Sequence, residues 1–215
     1  MTSTAEVIDA LVAEAQPVRR LRPPTLRALG WLALVVLVLA LVAAGHGVRP
    51  DLALKLRQPA FATSVAAALL TGVLAALASL SASVPGRSRR WLLLPLPALI
   101  VWLSTIGYGC LTNWVSMGPQ GMSLGETASC FATLLQTSIP LSLAMFFMLR
   151  HAARLSPAPV VLMGSLAVAA MTAVALALFH PLDATVLILL SNIGVTALLL
   201  CCGGIYGTRL LTRVA

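Results

Sequence analysis

The chain has 215 residues, 60% of them hydrophobic and 9% charged, with a formal net charge of +8. At a mean hydropathy of +0.99 it carries more apolar surface than a soluble core of this length can hide, which excludes an ordinary globular protein and leaves lipid as the solvent. The positive balance lacks the aromatic interleaving of a nucleic-acid surface, so no direct nucleic-acid contact is expected, and the arginines read instead as a cluster on one side of a membrane.

The first expected element is a short amphipathic helix. Ser3-Thr4-Ala5-Glu6 has the form of a capping box, in which Ser3 caps and Glu6 reaches back. Val7, Ile8, Leu11, Val12 and Ala15 follow along one helical stripe, with Glu6, Asp9, Ala10 and Ala13 mostly elsewhere. Pro17 ends the pattern after about three turns, too few for stability alone in water. An acidic polar face disfavours lying on a negative leaflet. Two fates stay open: folding back on the ends of the spans, or ordering in a partner's groove with Val7, Ile8 and Leu11 as anchors. Arg19, Arg20, Arg22 and Arg27 follow, interleaved with Pro17, Pro23 and Pro24. No cleavable signal peptide is expected, because the first 28 residues carry Glu6, Asp9 and Glu14 and the first apolar segment is long enough to span.

Six apolar segments succeed one another at 29–45, 61–83, 91–110, 127–149, 159–179 and 184–207, most near or above the roughly 20 residues that cross a hydrocarbon core. The last two are separated only by Phe179-His180-Pro181-Leu182-Asp183, which forces an antiparallel hairpin. An even number of spans puts both termini on one side. That side receives Arg19, Arg20, Arg22, Arg27, Arg87, Arg89, Arg90, Arg150, Arg154, Arg209 and Arg213; the other receives Arg49, Lys55 and Arg57. Eleven against three predicts cytoplasmic termini. Trp31 and Trp91 then fall at the inner interface and Trp114 at the outer one, where amphipathic rings are favoured. The expected fold is all-α integral membrane, six transmembrane helices with a short cytoplasmic N-terminal amphipathic helix. Residues 1–28 form a partner-binding tail and 29–215 the membrane domain.

None of the segments holds an acidic, basic or histidine side chain well inside it, which weakens a transport reading. Pro95, Pro97 and Pro140 read as kinks in packed helices, and Gly203-Gly204-Ile205-Tyr206-Gly207 as a close-packing segment. With three histidines, no paired carboxylates at useful spacing and no phosphate-cradling loop, nothing calls for an enzyme or a cofactor.

Several stretches together resemble the NrsF family, six-span inner-membrane proteins that negatively regulate sigma F-like extracytoplasmic-function sigma factors. They are Ile8-Asp9-Ala10-Leu11-Val12, Pro17-Val18-Arg19-Arg20-Leu21-Arg22-Pro23-Pro24, Arg49-Pro50-Asp51-Leu52, Cys130 opening the fourth span with Pro140 inside it, Leu149-Arg150, and Gly207-Thr208-Arg209-Leu210-Leu211. Members commonly carry Leu-His-Cys-Pro between spans five and six, with an aromatic pair further on. This chain reads Leu178-Phe179-His180-Pro181, so His180 stands at the second cysteine position, and Ser191 and Asn192 occupy the region of the aromatic pair. The resemblance implies a sensing role for outward cysteines, carried over to Cys130 only.

The remaining cysteines are placed by the same topology. Cys110 and Cys130 flank the outer loop 111–125, whereas Cys201 and Cys202 lie toward the cytoplasm and read as two small apolar residues. Three readings of the outer pair stay open. They are a disulfide, which needs Cα atoms within about 7 Å; two isolated thiols; and a sensor in which Cys130, with His180, meets a soft metal or an oxidant. Two or three such ligands make an incomplete structural zinc site.

Taken with the resemblance, the expected function is an inner-membrane anti-sigma factor, multi-pass with both termini cytoplasmic. Its tail (Val7, Ile8, Leu11, Val12, Arg19, Arg20 and Arg22) sequesters an extracytoplasmic-function sigma factor and releases it on a metal or oxidative envelope signal. Membrane lipids are the other partner, met by the same arginines. The alternative is a small-solute permease with a merely structural tail, and a weaker third is a membrane enzyme or assembly factor.

Overall fold

The computed structural model describes residues 4–14, 22–84, 86–113, 124–149 and 157–179, and every regular element among them is helical. In order these are α1 (Thr4–Glu14), α2 (Pro24–His46), α3 (Leu52–Leu56), α4 (Pro59–Ala82), the 3-10 turn η1 (Arg89–Leu93), α5 (Leu96–Asn113), α6 (Leu124–Leu149) and α7 (Pro157–Phe179).

Local chemistry sets the boundaries. Pro24 and Pro59 open α2 and α4, where a missing N–H costs nothing and the fixed φ suits the first turn. Gly47 stops α2 at φ 75°, its N–H closing on the Ala43 carbonyl at 2.9 Å. Ser88 opens η1 by accepting from the Arg90 N–H. Pro95 and Pro97 fall before and within the first turn of α5, so they separate it from η1 instead of kinking it. α6 runs through Pro140 without interruption.

Among the described residues, five helical stretches rather than the expected six are long and apolar enough to cross a membrane: 24–46, 59–82, 89–106, 132–149 and 158–179. The expected sixth segment, 184–207, lies outside the described residues. The first helix starts five residues before its apolar run, so Arg27 and Ala28 belong to it. Helix α3, in the first loop, was not foreseen.

α4 is central, packing on α2, α5 and most extensively α7, while α6 closes the group against α2 and α7. One core joins Trp31, Val35, Val38 and Val42 of α2 to Leu80 of α4, Leu141 and Met145 of α6, and Val160 and Met171 of α7. A second, toward the other end, gathers Ala67, Ala68, Trp102, Leu134, Ala170 and Val174. Small residues let α4 and α7 approach: a Cβ on Gly72 would lie 2.8 Å from the Met171 methyl. Ser79 Oγ donates across this seam to the Val160 carbonyl at 2.8 Å. Thr71 and Thr137 satisfy their hydroxyls on their own helices, at Ala67 and Thr133. The outer surface displays Leu37, Leu41, Leu70, Ile100, Ile139, Leu143 and Phe146, which suits a bundle solvated by hydrocarbon.

Candidate functional site

Thr4–Glu14 form the helix the periodicity predicts, and Ser3 of the expected capping box lies outside the described residues. Val7, Ile8 and Val12 are 45%, 53% and 67% exposed, and α1 contributes to neither core cluster. The i, i+4 pair of Ile8 and Val12 shares a face of α1, and Leu11 stands beside Val12 in the same helix. Among the described residues, Val7, Ile8 and Val12 therefore form an exposed apolar stripe. Arg22 is exposed just before α2; Arg19 and Arg20 lie outside the described residues.

Where the tail meets the bundle, Arg27 turns inward. Its guanidinium donates to the Met148 carbonyl in the last turn of α6 and, at 3.4 Å, to Ser83 Oγ at the C-cap of α4. Two helix C-termini converge there, each presenting unsatisfied carbonyls and partial negative charge. A cation at such an end contributes about 0.3–1 kcal/mol. One turn further along α2, Trp31 is wholly buried and its indole N–H donates to the Leu141 carbonyl of α6 at 3.3 Å. This corrects the expectation of an interfacial ring: the indole is a core side chain whose one donor is satisfied across a helix pair. Trp91 fits the interfacial description better, 38% exposed with the Arg87 guanidinium 5.4 Å over its ring, beside exposed Arg89 and Arg90.

The opposite end of the bundle is held by Arg49. Its side chain is only 3% exposed and grips Asp51 in two parallel hydrogen bonds of 2.7 and 2.8 Å, the bidentate geometry that suits arginine and carboxylate. It also reaches the Ala177 carbonyl at 3.5 Å and lies 5.8 Å from the Phe61 ring centre, while its backbone N–H donates to the Leu178 carbonyl at 3.2 Å. The first loop is thereby tied to the last turn of α7. The hydrogen bond from Arg49 is the largest influence on the Asp51 carboxyl and holds its pKa below the ordinary value. Nearby, His46 Nε2 and Gln136 Oε1 are 3.0 Å apart, linking the end of α2 to α6.

Of the sensing candidates, Cys110 lies on α5 and Cys130 on α6, in the halves of those helices that chain direction carries toward the Arg49 end. His180 follows the last residue of α7 and, with Cys201 and Cys202, lies outside the described residues. Among the described residues, no three His, Cys, Asp or Glu side chains gather as a metal site would require. Sequence reasoning missed the inward roles of Arg27 and Arg49. Arg49-Pro50-Asp51 did advertise a local ion pair, but its carbonyl partners, 128 and 129 positions away, did not show.

The family model described as negative regulator of sigma F matches residues 11–212, nearly the whole chain, from Leu11 of α1 onward. No curated protein matches the chain. No solved structure matches it either.

Proposed function

The chain belongs to the NrsF family, negative regulators of sigma F, and from that membership we propose a multi-pass inner-membrane anti-sigma factor whose N-terminal tail sequesters a sigma factor of the extracytoplasmic-function class. The observation that carries the reading is the exposed stripe of Val7, Ile8 and Val12 on a helix too short to be stable by itself. Such a helix orders on a groove, burying a few apolar anchors, while Arg19, Arg20 and Arg22 behind it meet acidic patches of the partner or lipid phosphates. Holding the sigma factor at the membrane keeps it from RNA polymerase. The role is one of binding, with no chemistry on a substrate.

Termini on the cytoplasmic side suit this role and agree with the arginine distribution. Release then follows a metal or oxidative signal from the envelope, met by Cys130 with His180 or Cys110. The test is a pull-down from membranes with and without residues 1–22. Sigma factor recovered with the full chain and lost with the shortened one supports the reading; equal recovery from both sinks it.

A further inference from the structure

We propose that Arg27 is the positioning residue through which the bundle controls the tail: by joining the C-terminal ends of α4 and α6 to the first turn of α2, it fixes how the tail leaves the membrane domain, and a shift of α6 would loosen it. The proposal deepens the anti-sigma reading and rests on it.

The connectivity is direct. α2 is the helix that continues from the tail, and Arg27 sits in its first turn, four positions after Pro23. That turn lacks a side-chain N-cap, and the Arg27 N–H closes it on the Pro23 carbonyl at 3.2 Å. The guanidinium restrains it further, shared between Met148 and Ser83. Ser83 is itself fixed by donating to the Leu80 carbonyl at 2.7 Å, so the acceptor is pre-oriented. Trp31 lies one turn on and holds α2 and α6 in register through Leu141, and His46 meets Gln136 where α2 ends. The seam between α2 and α6 thus carries polar contacts at its start, interior and end. Hydrogen bonds have discrete geometry, whereas apolar contacts between helices slide. A displacement of α6 by part of a turn therefore breaks the Arg27 contact rather than stretching it.

The consequence is entropic. A clamped first turn fixes the direction in which Pro23 and Arg22 leave the membrane domain, and a partner pays less to engage a chain that departs in one direction. Once Arg27 is freed, the first turn of α2 frays, Pro23 and Arg22 lose their fixed direction, and the sigma factor binds more weakly.

The experiment uses the full chain in lipid nanodiscs with purified cognate sigma factor, titrated at a temperature where every variant remains folded by thermal melt. Arg27→Gln is expected to raise the dissociation constant at least fivefold, Ser83→Ala about twofold, and lipid-facing Leu37→Ala not at all. In an Arg27→Gln background, Ser83→Ala should have no further effect, since the pair acts through one contact. Should Arg27→Gln fail to insert, Arg27→Lys, which keeps the charge but not the forked donor, is expected to give an intermediate weakening. Unchanged affinity in whichever Arg27 variant inserts, or additive effects of the Arg27 and Ser83 substitutions, overturns the clamp while leaving the anti-sigma reading standing. A wild-type chain that does not bind the sigma factor overturns both.

Discussion

Trp31 donates its indole N–H to the Leu141 backbone carbonyl, 110 positions away, across a fully buried contact between α2 and α6. A tryptophan placed just inside an arginine-rich boundary is the usual mark of a headgroup-level ring. Here the ring points the other way and fastens two helices, so its substitution acts on the bundle. Trp31→Phe keeps most of the packing and loses the hydrogen bond, an expected cost of about 1 kcal/mol. Trp31→Ala also opens a cavity and is expected to cost about 3–5 kcal/mol. Thermal melts of the purified chain in one detergent check the ranking, and a Phe variant as damaged as the Ala variant would contradict it.

The Arg49–Asp51 pair gives stability a pH dependence of known sign. Arg49 holds the Asp51 pKa below its unfolded value, so the contribution is fully present above roughly pH 4 and is lost as pH falls through the lowered folded pKa. The wild-type chain should therefore be more stable than Asp51→Asn at pH 7, and the difference should shrink below about pH 4. Melting temperatures across pH 3–7, roughly spanning the ordinary carboxylate range, check this. A gap that widens on acidification would reverse the assignment.

A charge on the exposed tail stripe should abolish partner binding while sparing the bundle, because α1 belongs to neither core cluster. Ile8→Asp or Leu11→Asp would bury a carboxylate in an apolar groove at a cost of several kcal/mol, and sigma-dependent transcription should rise. Immunoblots of the membrane fraction should show an unchanged protein level. Continued repression by a well-inserted variant would remove the stripe from the interface.

The far end separates two kinds of signal. If a metal is sensed by Cys130 together with His180, Cys130→Ser and His180→Ala both blunt induction, and His180→Cys preserves it. An oxidative signal using Cys110 as the second thiol instead makes His180→Ala silent and Cys110→Ser damaging. Reporter induction by metal and by oxidant in the three single variants distinguishes them. Normal responses in all three would make these side chains structural.

Hydropathy placed the five membrane-length helices among the described residues to within about five residues, because a hydrocarbon core demands a nearly fixed apolar length. The tail helix was equally legible from its apolar stripe. Which face of each span looks inward was not. Along α2, Ala28, Trp31, Val35, Val38 and Val42 are buried while Leu29, Val36, Leu37 and Leu41 are exposed, and both faces are equally apolar. Lipid removes the polar contrast that marks a soluble helix, so packing rests on shape and small residues such as Gly72. The inward contacts of Arg27 and Arg49 were hidden for a related reason. In sequence each reads as a solvated charge, yet Arg27 donates to the Met148 carbonyl and Arg49, besides gripping Asp51, reaches the Ala177 carbonyl, both helix-end acceptors met only in the folded chain.

Placing a photo-crosslinking side chain at Val12, exposed on α1, and illuminating intact cells locates the partner without purification. If the tail holds the partner, a covalent adduct with the sigma factor is expected from position 12 and from position 8, and none from Leu37, exposed on the bundle surface. An adduct formed only from elsewhere on the chain, or a tail that captures no sigma factor at all, would contradict it.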